Sequence, residues 1–235
     1  MSENEEAVSG YAANFADPGL RQKVRRSTHQ AWEKVFKRMI DIVAASLFIV
    51  IHSWLYLILW LGVRYTTGSP AIYSHRRVGR EGKEFNCLKF RSMLVNSAEV
   101  LDRHLEENPE AKAEWERDFK LRDDPRITKF GRIIRKTSLD ELPQFWNVLR
   151  GEMSLVGPRP VIAKELERYY GGAAIFYSSV RPGITGPWQV GGRNDLGYDE
   201  RVRLDVGYAR NWSLAGDLLI VAKTFAAVIT RRGSY

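Results

Sequence analysis

Two adjacent carboxylates, Asp140 and Glu141, stand in a stretch crowded with cations: Arg132, Arg135, Lys136, Arg150 and Arg159 all fall within residues 120–160. An acidic pair among guanidinium and ammonium groups suits an anionic substrate, with one carboxylate as nucleophile or metal ligand and the other as acid/base partner. Gly157-Pro158-Arg159-Pro160 adds a rigid turn that can hold an arginine fork against a phosphate. The same residues also admit a purely structural reading, because Ser138-Leu139-Asp140-Glu141 ahead of an apolar run is a helix-capping pattern. Two registers fit it. With Ser138 as N-cap, Glu141 completes a capping box, but Pro143 then removes a helical hydrogen bond. With Asp140 as N-cap, Pro143 falls in the first turn, where its missing N–H matters little. The second register suits the proline better, and in either one the helix dipole favours an ionised Asp140.

These residues need elements to hold them. Arg122-Asp123-Asp124-Pro125 reads as a turn, after which residues 127–134 lead into a helix ending near Gly151. Upstream, residues 71–78 and 84–90 are strand-like and are separated by Gly79-Arg80-Glu81-Gly82-Lys83, which predicts a β-hairpin. Those glycines and Lys83 lack the Ser/Thr and full glycine pattern of a phosphate loop. Lys89, Arg91 and Ser92 end the second strand, a good place from which to present phosphate-binding side chains. Residues 96–120 carry Val100, Leu101, Leu105, Trp115 and Phe119 at helical spacing, with Pro109 as a break, and predict a pair of amphipathic helices. Their acidic excess argues against a nucleic-acid surface. Downstream come a helix at 161–170, a Gly- and Pro-rich loop or short-strand region at 181–195, and helices at 198–210 and 214–229.

With 235 residues the chain has room for one sizeable domain or two small ones, and a single globular unit with an appendage is expected. The formal charge of +8 implies acidic partners: nucleic acid, anionic lipid or phosphorylated small molecules. Cys87 is the only cysteine, which excludes an intramolecular disulfide and agrees with a reducing, cytosol-facing site. Residues 1–20 read as a mobile tail. Residues 21–38 are basic and interleaved with Trp32, Val35 and Phe36, which suits either an anionic membrane interface or a solvated helix face. No cleavable signal peptide is expected, since the first apolar run starts near residue 42 behind an acidic and then basic leader.

Between Asp41 and Arg64 the sequence has no charged residue. As one helix this run would be roughly 33 Å long, enough to cross a hydrocarbon core. His52 and Ser53 fall in its middle and basic residues flank both ends, so a straight span has no clear orientation. A break near His52 that turns the chain back would keep both flanks on one face, each half reaching only about 15 Å deep. That re-entrant hairpin is the expectation; the alternative is a plain anchor with His52 facing a partner helix.

A series of motifs in order resembles one family. Lys89-Phe90-Arg91-Ser92-Met93, Arg122-Asp123-Asp124-Pro125-Arg126-Ile127-Thr128, Ser138-Leu139-Asp140-Glu141-Leu142-Pro143-Gln144, residues 147–160, Arg181-Pro182-Gly183-Ile184-Thr185-Gly186 and Gly192-Arg193-Asn194 are similar to the bacterial sugar transferases, the monotopic polyprenyl-phosphate phosphoglycosyl transferases. The resemblance covers roughly residues 34–235. It implies a mixed, mostly helical α/β fold: a small cytoplasmic catalytic domain (68–235), an N-terminal re-entrant membrane helix (34–67) and interfacial amphipathic helices, preceded by a tail and basic leader (1–33). It also implies transfer of sugar 1-phosphate from a UDP-sugar to undecaprenyl phosphate with release of UMP, the initiating step of exopolysaccharide biosynthesis. In that scheme Asp140 attacks the diphosphate with the help of Mg²⁺, which it also ligates, and forms a covalent phosphosugar enzyme. Glu141 is the acid/base partner, and Lys89, Arg135 and Arg159 bind the substrate phosphates.

The implied partners are the UDP-sugar, undecaprenyl phosphate and the inner leaflet of the bacterial plasma membrane, with no nucleic acid and with a homo-oligomer left open. Ala173-Ala174-Ile175-Phe176-Tyr177, Gly192-Arg193-Asn194-Asp195 and Arg232-Gly233-Ser234-Tyr235 are similar to short family members of exopolysaccharide pathways, which makes galactose the first expectation and glucose the second. The family's usual Ser-Pro kink is replaced here by His52-Ser53-Trp54. The competing expectation is a non-catalytic membrane scaffold for polysaccharide assembly.

Overall fold

The computed structural model describes residues 31–118, 121, 123–191 and 197–230. The tail, residues 21–30 of the basic leader, the Gly192-Arg193-Asn194-Asp195 match and the last five residues lie outside the described residues. What is described is mixed α/β and mostly helical. The described residues divide into two compact units, one built from those within 31–51, 74–88 and 144–230, the other from those within 52–73 and 89–143.

In the first unit, helix α1 (Ala31–Ile51) has its polarity turned outward-in. Arg38, Asp41 and Ala45 recur at helical spacing and form one stripe, with Lys37 beside it. Ala45 is fully buried, whereas Ile42, Val43, Leu47, Val50 and Ile51 are exposed. The charged side chains are bonded within the unit. Lys37 Nζ donates to Val156 O at 3.1 Å and pairs with Asp217 Oδ2 at 2.5 Å. Asp41 Oδ1 accepts from Ser154 Oγ at 3.1 Å and from the Leu155 N–H at 3.0 Å. Arg38 donates to the carbonyls of Val148 and Leu149 at 2.7 and 3.0 Å, thereby capping helix α6 (Gln144–Arg150), whose last carbonyls have no intrahelical donor. Lys37 and Arg38 are therefore not simply solvated cations of a helix face; carbonyls and a carboxylate of their own unit engage them.

Strands β1 (Ile72–Val78) and β2 (Glu84–Phe90) form the expected two-stranded sheet, turned by Arg80–Gly82 with Glu81 and Gly82 both at positive φ. Ser74–Leu88 is counted with the first unit, and Lys89 and Phe90 with the second. Asn147 of α6 is fully buried and satisfies its amide on β2: its Oδ1 accepts from the Leu88 N–H at 3.0 Å and its Nδ2 donates to Asn86 O at 2.8 Å. Ala45, Phe85, Cys87, Val148 and Met153 pack together around that link, so Cys87 is core packing. Beyond it, the short strands β3 (Ser154–Val156) and β4 (Gly183–Thr185) pair in parallel, Ser154 opposite Gly183. At Gly157 a Cβ would lie 2.3 Å from Arg181 O, so only glycine allows the two segments to approach. A second core gathers Val78, Val161, Ala163, Leu166, Tyr170, Ala174 and Tyr177.

The second unit begins at the break. No single described helix is long and apolar enough to cross a membrane, but α1 and α2 (Ser53–Thr66) pass that test together, with a bend of 66° between them. The break falls at His52, where the sequence places it, and forms without a proline. The His52 carbonyl accepts from the N–H groups of Leu55 and Tyr56 at 2.9 and 3.1 Å and so starts the new helix. Leu59 and Val63 of α2 are buried, while Trp54, Leu57, Ile58 and Leu61 are exposed. The predicted amphipathic pair follows as α3 (Ser97–Glu107) and α4 (Pro109–Asp118), with Pro109 at the first position, where a missing N–H is harmless.

Candidate active site

Helix α5 (Lys129–Lys136) is the platform of the site, and local chemistry determines where it starts. Thr128 caps it, its hydroxyl accepting from the Gly131 N–H at 2.9 Å. Gly131 lets the helix sit directly on the chain that leaves β2, since a Cβ there would lie 2.0 Å from Ser92 O. Arg135, one turn further along, then donates from Nε to Ser92 Oγ at 2.7 Å. Upstream of the cap, Asp124 accepts two hydrogen bonds from the Arg126 guanidinium at 2.8 and 2.6 Å, and Arg126 lies 4.9 Å from the Trp115 ring of α4.

Neither capping register expected from the sequence is the one adopted. Ser138 takes up a left-handed conformation (φ 56°) and makes no side-chain cap, which ends the run from α5. Leu139–Glu141 is a separate 3₁₀ turn, and α6 starts only at Gln144. Pro143 explains the gap: without an N–H it cannot join an α-helical ladder to the residues before it. The acidic pair therefore sits on a tight turn between two helices.

On that turn Asp140 is buried to 9% exposure. Burial pushes its carboxyl from the ordinary 3.8 up to about 6; the charges of Lys89 and Arg135 pull it down, while Glu141 pushes it up. Glu141 is more open and holds Lys89 Nζ at 2.6 Å from Oε1. The Tyr56 hydroxyl of α2 donates to the carbonyl of Leu142, the next residue, at 2.6 Å, and the Tyr56 ring lies 6.1 Å from that of Phe90. Lys89, Arg135, Asp140 and Glu141 are thus brought together in one unit. Arg159 belongs to the other unit, where its guanidinium lies 5.0 Å from the Trp188 ring. Arg132 pairs instead with the exposed Asp123 at 3.3 Å, and Lys136 and Arg150 are exposed. The sequence reading missed Tyr56; its only signal was a hydroxyl one turn after His52 in an otherwise apolar run.

A desolvated carboxylate that is largely ionised at neutral pH, beside an acid/base-capable neighbour and two cations, has the composition of a nucleophile site for a phosphorylated substrate. In sequence comparison, the model of the family described as "Bacterial sugar transferase" matches residues 32–231, and the chain belongs to this family. It is 57% identical over 202 residues to an uncharacterized sugar transferase of Haemophilus influenzae, covering 86% of this chain and 42% of that protein. Over 221 residues it is 52% identical to the undecaprenyl-phosphate galactose phosphotransferase of Salmonella typhimurium, covering 94% and 46% respectively. With the exopolysaccharide production protein ExoY of Rhizobium meliloti it shares 50% identity over 199 residues, 85% of this chain and 88% of that one. The chain thus spans less than half the length of the first two relatives and most of the third.

Proposed function

We propose that this chain transfers a sugar 1-phosphate, galactose 1-phosphate first and glucose 1-phosphate second, from a UDP-sugar to undecaprenyl phosphate, initiating exopolysaccharide synthesis. The observation that carries this reading is the buried Asp140 carboxylate, its charge opposed by burial and steadied by Lys89 and Arg135. In the first step an Asp140 oxygen bonds to the sugar-bearing phosphorus while the bond to the bridging oxygen breaks, and UMP leaves. In the second, an oxygen of the lipid phosphate bonds to the same phosphorus and the aspartyl bond breaks, returning Asp140 as a carboxylate. Glu141 is the acid/base partner that takes the proton of a monoanionic lipid phosphate. Lys89 and Arg135 face the developing negative charge. The assignment of Arg159 to the donor's phosphates is carried by its motif alone.

Among the described residues no group of three or more His, Cys, Asp or Glu could hold a metal by itself. The donors that are present, Asp140 beside Glu141, fit Mg²⁺, which binds through one or two carboxylates together with substrate phosphates. Asp140 would be its protein ligand, and when bound the ion would neutralise diphosphate charge. The exposed apolar faces of α1 and α2 support a membrane-bound protein, with the re-entrant form and a cytoplasmic catalytic domain as the proposed arrangement.

The test is release of UMP from UDP-galactose or UDP-glucose by membranes containing the protein, undecaprenyl phosphate and Mg²⁺. Equal release by Asp140→Asn removes Asp140 as nucleophile. The second reading, a non-catalytic scaffold, is favoured by the apolar outer faces alone. It requires that Asp140→Asn leave polymer production intact while deletion of residues 34–64 abolishes it.

A further inference from the structure

Arg159 is fixed at both its ends. Its backbone lies between Pro158, fully buried, and Pro160, and its carbonyl is 3.3 Å from the Tyr177 hydroxyl, which also accepts from the Val161 N–H at 3.2 Å. Its guanidinium lies 5.0 Å from the centre of the Trp188 ring in helix α7 (Pro187–Gly191). A second guanidinium, that of Arg201 in α8 (Tyr198–Asn211), lies 5.1 Å from the same ring. Among the described residues, Trp188 Nε1 and Arg201 Nε and Nη2 have no hydrogen-bond partner although they are buried, so ring and arginine are held there by stacking and charge.

Two cations on one buried indole repel each other unless a negative charge is close. One turn along α8 from Arg201 stands Asp205, completely buried, accepting from the Tyr170 hydroxyl at 2.5 Å. Both Arg159 and Arg201 act on its carboxyl electrostatically, although burial outweighs them. Glu165 shares Arg201 with it, 3.8 Å from Nη1, and is also paired with Arg77 at 3.5 Å; Asp205 is the carboxylate on which both stacked arginines act.

We propose that Trp188 and Asp205 are positioning residues for Arg159: the indole holds the plane of its guanidinium, and the buried carboxylate balances the paired charge on that ring. Arg159 then meets a substrate phosphate already oriented, and the rotamer freedom a loose arginine would lose on binding has been removed beforehand. This rests on the assignment of Arg159 to the donor's phosphates.

The probe is UDP, titrated calorimetrically into the full-length protein in lipid nanodiscs, so that the outcome does not depend on turnover or on the sugar. Arg159→Gln is expected to weaken UDP binding about tenfold, and Trp188→Leu and Asp205→Asn each about three- to tenfold. Trp188→Phe keeps an aromatic face and should recover most of the Trp188→Leu loss. In the Arg159→Gln background Trp188→Leu should add less than about twofold, because its partner is gone. A Trp188→Leu loss that is equally large without Arg159 reduces the tryptophan to a structural role and overturns the proposal. Should Trp188→Leu not fold, the same comparison made with Asp205→Asn decides it. An Arg159→Gln variant that binds UDP normally overturns the phosphate assignment and this proposal together, while leaving the Asp140 mechanism to its own assay.

Discussion

Lys89 Nζ lies 2.6 Å from Glu141 Oε1, and each side chain keeps about a third of its surface exposed (30% and 34%). A pair so open contributes under about 1 kcal/mol to folding. Its location next to Asp140 means that the same ammonium also lowers the cost of the charge on the buried carboxylate. Lys89→Met should therefore leave Tm within about 2 °C of wild type and reduce kcat/KM for the UDP-sugar by about 100-fold or more. Lys89→Arg should fall between, since it keeps the charge and loses the compact donor. Thermal melts and steady-state UMP release on the same preparations check both halves.

Asp140 makes the opposite trade. Its folded-state carboxyl is raised to about 6 from 3.8, so between those values the folded protein retains a proton that the unfolded chain has given up. Stability is consequently highest below about pH 4 with respect to this group and is lost as pH rises through about 6. Asp140→Asn removes that loss. In metal-free buffer at pH 8 it should be more stable than wild type by on the order of 1–3 kcal/mol, with the gap closing below pH 5, while UMP release disappears. Denaturant titrations of both proteins at the two pH values would refute this if the gap were constant.

Gly131 and Gly172 make a matched pair of substitutions. Alanine at Gly131 drives a Cβ to 2.0 Å from the Ser92 carbonyl, so α5 must move and take Arg135 with it; at Gly172 a Cβ meets nothing within 4 Å. Gly131→Ala should cost about 2 kcal/mol or more and most of the activity, and Gly172→Ala should be close to neutral in both. Unfolding curves and initial rates report the two effects separately.

For the bent pair α1 and α2, single cysteines introduced at positions 20 and 70 after replacement of Cys87 should react from the same side of the membrane. Labelling of the two from opposite sides would establish a spanning helix.

The elements most readable from the sequence were those whose local chemistry decides them. The β1–β2 hairpin carried its own turn residues, α3 and α4 were separated by Pro109, and the α1–α2 break lay at the two polar residues of an apolar run. Arg135 beside Asp140 and Glu141 was legible as charge composition, and Lys89 as the end of a strand and part of a matching motif. The turn that displays the acids was not, because a left-handed Ser138 defeats a capping pattern that is sound on local grounds, and nothing in Ser-Leu-Asp-Glu announces it. Strand β3 escaped as well, and β4 was legible only as loop or short strand: three-residue parallel segments are defined by their partner across the sheet rather than by any period of their own. Trp188 stood in a stretch read as a possible binding loop, but its role toward Arg159 exists only where two distant segments meet.

The inward charges of α1 have a consequence for how that helix can change. Lys37, Arg38 and Asp41 are each matched to specific carbonyls, donors or a carboxylate, so their identity matters and sets the roll and depth of the helix against its unit. Ile42, Val43, Leu47 and Val50 are asked only to be apolar. The helix thus separates two specifications by face. One side encodes its attachment to its own unit letter by letter, and the other can be rewritten in a different aliphatic alphabet without disturbing the fold.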